Sequence, residues 1–117
     1  MSRTATYQET LRRLAIFDEG LVRAGFGPAL PGTPALDAKT MALLQVAVSV
    51  AIGSSAVCVQ WSAARALAAG ATKDEITDVL LAIIPVAGLG RIVSAAPALA
   101  TALEYDIEAA LEEPDSY

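Results

Sequence analysis

The sequence contains no histidine and a single cysteine, Cys58. Without histidine, the side chain that ordinarily titrates nearest neutrality is missing, so general acid–base work would fall to carboxylates. A lone cysteine excludes an internal disulfide, and the two absences together exclude a zinc or iron–sulfur constellation. No metal and no cofactor is therefore expected. Basic residues are scarce, eight against thirteen acidic ones, for a net charge of −5. That is the wrong sign for a surface that must neutralise phosphates, which argues against a nucleic-acid partner. Nothing basic follows Arg91, whereas Glu104, Asp106, Glu108, Glu112, Glu113 and Asp115 all do, so residues 104–117 read as a solvated acidic end. The opening residues lack the apolar core of a secretory signal, and the cytoplasm is the expected compartment.

Aromatics are also few, at 5%, although 55% of the 117 residues are apolar; Ala, Leu, Val and Ile supply the hydrophobicity. Small aliphatic side chains suit close helix contacts, and a chain of this length encloses one core, so a single all-α domain over 1–117 is expected. Thr40 to Ala64 carries no charge and is long enough to cross a bilayer. Gln45, Ser49, Gly53, Ser54, Ser55, Gln60 and Ser62 interrupt it, and the Gly-Ser-Ser break leaves flanks too short to span. No membrane partner is expected.

Apolar periodicity predicts a surface helix over Thr6–Ala24, followed by a Gly/Pro connector over Gly25–Pro34. Asp37 can cap a second helix, about Ala38–Ile52, which is apolar nearly all round and so predicts packing on every side. Gly53 ends it; Ser54 or Ser55 can cap a third helix over Ala56–Ala69, closed by Gly70, and the two form a hairpin. The alternation of Val46, Val48 and Val50 suits a strand, but length and caps favour helix. Thr72-Lys-Asp-Glu75 is a capping box for a fourth helix, predicted to kink or end at Pro85. A final helix over Arg91–Leu111 should bend or break near Ala95 and Ala96, because Pro97 lies within it.

The run Leu36–Thr40, then Trp61–Ile76 with its Ala-Gly-Ala-Thr turn, then Val79–Leu81 with Ala87-Gly88, resembles the carboxymuconolactone decarboxylase and alkyl hydroperoxidase D-like family. The resemblance covers residues 36–103 and leaves 1–35, the first helix and connector, unplaced. It implies an all-α alkyl hydroperoxidase D-like domain built on the central hairpin and packed into a homo-oligomer, a trimer or hexamer. Peroxidase-type members carry a Cys-x-x-Cys pair, a histidine four residues on, and a glutamate on the preceding helix. Counted back from Gly70, Ser55 stands at the first cysteine, Cys58 at the second and Ser62 at the histidine; Ala42 and Leu43 flank the glutamate's place, and the nearest acid is Asp37. Decarboxylase-type members also use a histidine near Ser62. The resemblance therefore implies a degenerate active site.

Ser55, Cys58, Ser62 and Arg65 are spaced to share one stripe of the third helix, and Gln45 and Ser49 form a smaller stripe on the second. Brought together by the hairpin, the stripes would line a narrow, weakly polar cavity. Cys58 and Ser62 are the catalytic candidates, and Gln45, Ser49, Ser55, Trp61 and Arg65 the pocket candidates. Each also has a plainer role. Cys58 suits a core position, Ser55 a cap, Ser62 a bond to a carbonyl one turn back, Trp61 a subunit contact, and Arg65 a solvated or ion-paired place if not a ligand carboxylate. Arg91, after Gly88-Leu-Gly90, could meet an anion at a helix start, but the dinucleotide motif lacks its third glycine and its strand.

Three functions compete at this level: binding or non-redox conversion of a small apolar or carboxylate-bearing molecule; one-cysteine peroxidase chemistry at Cys58; and a non-catalytic structural or regulatory oligomer.

Overall fold

The computed structural model describes residues 4–20, 23 and 35–112. The chain divides into two units, Met1–Thr33 and Pro34–Tyr117. In the first, helix α1 (Thr4–Ala15) stops well short of the expected Ala24. Phe17 takes a left-handed φ of 57°, and the Asp18 amide reaches back to the Arg13 carbonyl at 2.9 Å, closing the helix. Arg13 reinforces the turn by pairing with Asp18 at 3.2 Å. Glu19, Gly20 and Arg23 are helical again, while the predicted connector falls outside the described residues.

The second unit is a run of helices: α2 (Ala38–Ala51), α3 (Ala56–Ala68), α4 (Lys73–Ala87), α5 (Leu89–Ala102) and α6 (Ile107–Glu112). Its boundaries follow the local signals. The Asp37 side chain accepts the Thr40 amide at 2.7 Å, and Ser55 Oγ accepts the Cys58 amide at 3.3 Å. The capping box closes in both directions, Glu75 N to Thr72 Oγ1 at 3.0 Å and Thr72 N to Glu75 Oε1 at 2.8 Å. Gly53 (φ 72°) and Gly70 (φ 98°) end α2 and α3 in the left-handed region that glycine enters without steric cost.

Neither proline ends its helix. Pro85 sits inside α4, which continues to Ala87 and ends at Gly88. Pro97 lies within an α5 that begins at Leu89 and has no gap at Ala95 or Ala96. Proline removes one bond, to the carbonyl four residues back. Here those residues are Leu81 and Val93, 60% and 63% exposed, so the lost bonds fall on the open side of each helix. The predicted final helix is instead divided at Leu103–Asp106, where Glu104 takes φ 60° and the Tyr105 amide bonds the Ala100 carbonyl at 2.9 Å.

The core of this unit takes Ala42, Val46 and Val50 from α2, Val59, Ala63 and Ala66 from α3, Ile76 and Leu80 from α4, and Ile92, Ala95 and Leu99 from α5. The four-residue spacing on α2 puts its buried positions on one stripe, and the alanines let α3 lie close to α2 and α5. On the other side of α2, within one chain, Leu44, Val48 and Ile52 are 50%, 55% and 67% exposed, so packing on every side of this helix would need a further copy of the chain. Among the described residues there is no strand, and no helix is long and apolar enough to cross a membrane.

Candidate functional site

The hairpin of α2 and α3 turns at Gly53, and the guanidinium of Arg91, from the first turn of α5, lies directly against that glycine. A β-carbon at Gly53 would collide with Arg91 Nη1, so a larger residue there has to displace the flexible end of Arg91 in addition to adopting the left-handed backbone. Arg91 forms no ion pair among the described residues, and its packing place is the turn itself.

This turn sets two serines opposite each other. Ser49 Oγ and Ser62 Oγ are 3.1 Å apart across the helix interface. Each hydroxyl also reaches a carbonyl one turn back in its own helix, Ser49 to Val46 O at 2.8 Å and Ser62 to Val59 O at 3.0 Å. Ser62 is buried because it shares the inward face of α3 with Val59, Ala63 and Ala66. The two stripes thus meet, but with their hydroxyls in direct contact where a cavity was expected.

The open space lies instead on the outer side of α2, in a groove of about 350 Å³ lined by Leu44, Gln45, Val48, Ser49, Ile52 and Ser54. Of the predicted pocket residues, Gln45 and Ser49 line it. Ser62 stands behind Ser49, one hydroxyl contact away. Ser55, Cys58, Trp61 and Arg65 are not among its lining residues. Ser55 is the α3 cap, and Cys58, set against the expectation of a core place, is exposed. Arg65 stacks on the exposed Trp61 ring, its Cζ 4.9 Å from the centroid. The sequence reading missed Leu44, Val48 and Ile52 as lining; their four-residue spacing, offset by one from Gln45 and Ser49, was the available signal. A second groove of about 450 Å³, between α4 and α5, is bordered by Lys73, Leu80, Leu99 and Tyr105 and takes in none of the predicted residues.

Among the described residues no charged side chain lines the α2 groove, and the nearest cation placed by the geometry is Arg91, against Gly53 between the lining residues Ile52 and Ser54. The carboxylates nearest the hairpin in sequence hold structural posts. Hydrogen bonds from Thr40 hold the Asp37 carboxyl below its ordinary range. Glu75 is held low by the Thr72 amide first and then by Lys39, and Lys39 in turn is raised by its bond to Glu75 at 3.0 Å, which links the start of α2 to that of α4. Among the described residues no cluster of three potential metal-ligating side chains occurs.

The sequence profile of the carboxymuconolactone decarboxylase family matches residues 8–101. The chain belongs to that family. The match begins upstream of the 36–103 core on which the resemblance rested, so the carboxymuconolactone decarboxylase pattern takes in most of α1 and the connector as well. Comparison with curated proteins and with solved structures gave no match.

Proposed function

We propose that this carboxymuconolactone decarboxylase family protein binds, or converts without redox chemistry, a small apolar organic molecule in the α2 groove, working as a cytoplasmic homo-oligomer with neither nucleic acid nor membrane as partner. The carrying observation is the groove itself: an aliphatic wall of Leu44, Val48 and Ile52 with Gln45, Ser49 and Ser54 as its polar groups and no charge among them. Apolar walls with a few placed polar groups are the usual make-up of small-molecule sites. Ser55 and Ser62 at the places of the family's first cysteine and histidine support chemistry other than thiol redox, and Cys58 is not part of the groove lining.

Assembly is supported by apolar side chains left open on the helices: Val57 and Trp61 on α3, 73% and 63% exposed, and Leu89 and Val93 on α5, 62% and 63% exposed. Each such side chain gains about 1–2 kcal/mol on burial, enough in a group to offset part of the entropy of association. A trimer or hexamer is expected by sedimentation, and a stable monomer would overturn the assembly.

Thermal-shift and native mass spectrometry screens against lactones, cyclic acids and aromatic metabolites test the binding. Ligands should bind the wild-type protein and be lost from Val48→Trp, which fills the groove from an exposed position. Binding that survives Val48→Trp, or no binding at all, would refute the reading.

A second reading, one-cysteine peroxidase chemistry, is favoured by the exposure of Cys58 in the first turn of α3. Its thiolate would take the distal oxygen of a hydroperoxide, releasing an alcohol and forming a sulfenic acid that an external thiol reduces with loss of water. Peroxide-dependent labelling at Cys58, with turnover lost in Cys58→Ser, is the expected result; an unreactive thiol excludes it.

A further inference from the structure

The second groove, between α4 and α5, carries two charges that the rules of helix stability do not account for. Lys73 is the first residue of α4, so its ammonium sits at the positive end of that helix. Glu104 follows the Leu103 cap of α5, so its carboxylate sits at the negative end of that one. Glu104 also takes φ 60° at the position where a helix end ordinarily has glycine. Elsewhere the chain places charges as stability favours. Asp74 and Glu75 occupy the first turn of α4, and Glu9 pairs with Arg12, Arg13 with Asp18 and Lys39 with Glu75. Lys73 and Glu104 border one groove, yet among the described residues neither forms an ion pair. Side chains that break local rules without a structural return are characteristic of functional sites.

The groove has a volume of about 450 Å³, within the range of small-molecule sites, and its floor is the buried trio Leu80, Leu99 and Leu103. The Tyr105 ring stands on its rim. Charge decides among ligands. A neutral apolar molecule would strip water from both ions and pair with neither. An anion would gain Lys73 and be opposed by Glu104, and a cation would meet the reverse. A molecule with both charges and an apolar body pairs with each and covers the floor. Glu104 and Tyr105 lie beyond the residues 8–101 that match the family, and the groove shares no lining residue with the one on α2.

We propose that the α4–α5 groove binds a free α-amino acid with a bulky apolar side chain. The ligand carboxylate pairs with Lys73, its ammonium pairs with Glu104, and its side chain lies on Leu80, Leu99 and Leu103. This site is separate from the α2 groove and does not depend on what that groove binds.

Calorimetric titration of the full chain near pH 7 with phenylalanine, phenethylamine and 3-phenylpropanoate tests this, the last two each lacking one of the charges. Phenylalanine should bind tightest. Lys73→Met should weaken phenylalanine about 3–5-fold, the scale of an exposed ion pair, without weakening phenethylamine. Glu104→Gln should weaken phenylalanine by a similar factor without weakening 3-phenylpropanoate. Thr77→Trp, which fills the groove from an exposed position, should abolish binding, whereas Val48→Trp in the α2 groove should leave it unchanged. Glu104→Gly should melt at a higher temperature than wild type and still bind phenylalanine more weakly. Equal affinity for the three probes, or a loss in either charge variant that does not follow the matching ligand charge, overturns the proposal. A lower melting temperature in Glu104→Gly overturns it too, by giving Glu104 a structural role. So does absence of phenylalanine binding combined with a change of sedimentation in Thr77→Trp, which would show that a second copy of the chain covers the groove.

Discussion

Replacing Gly53 by alanine tests the turn on which the serine pairing depends. The residue has φ +72°, and a β-carbon there would collide with Arg91 Nη1 and lie 2.9 Å from Arg91 Cζ. A left-handed backbone costs an L residue about 1–2 kcal/mol. Displacing the guanidinium adds about 0.5–1 kcal/mol, the lower end of the coupling between touching residues, because Nη1 is the far end of a flexible side chain. The expected loss is about 1.5–3 kcal/mol, a fall in melting midpoint on the order of 10 °C for a domain this size. Gly70 gives the control: it has φ +98° with nothing within 4 Å of an added β-carbon, so Gly70→Ala reports the backbone cost without a collision. Chemical denaturation of Gly53→Ala, Arg91→Ala and the double variant, at fixed protein concentration, completes the cycle. The penalty at Gly53 should shrink in the Arg91→Ala background, and the penalty at Gly70 should not. A Gly53→Ala change within about 0.5 kcal/mol of wild type would mean that the hairpin does not turn as described, and a penalty indifferent to Arg91 would remove the contact from the account.

Ile76 is fully buried in the core built from α2, α3, α4 and α5, so Ile76→Ala should cost about 2–5 kcal/mol in denaturant unfolding; a loss below about 1 kcal/mol would place Ile76 outside the core. The Lys39–Glu75 link and the Asp37 cap carry a pH dependence whose sign follows from their shifts. Glu75 and Asp37 are lowered, so their contribution is complete above the ordinary carboxylate range and is lost as pH falls through their folded-state values. Lys39 is raised, so its contribution is complete below its ordinary value of 10.5 and is lost as pH climbs through the higher folded-state one. Melting midpoints should therefore fall at both extremes, and Lys39→Met should flatten the alkaline limb and shrink the acid one; superimposable profiles for the two proteins would rule the link out as a contributor.

The sequence by itself determined the helical class and most of the helix starts, since a cap is a bond between residues three apart and needs no distant partner. Asp37 with Thr40, Ser55 with Cys58 and Thr72 with Glu75 were legible for that reason. It also placed Ser62 correctly against its own helix, at Val59 O. Helix ends were less legible: Phe17 and Glu104 are not residues that announce a left-handed turn, and whether a proline ends a helix depends on which side of it faces the core. Tertiary structure alone decided the geometry of the candidate site. Two serines thirteen positions apart become neighbours only once α2 and α3 cross, and Arg91 reaches Gly53 only once α5 packs beside the hairpin. The same crossing filled the cavity that the two polar stripes suggested and left Gln45 and Ser49 facing an outer groove. Side-chain spacing fixes which residues share a face of one helix, but the distance between two faces is set by the small residues that pack between them.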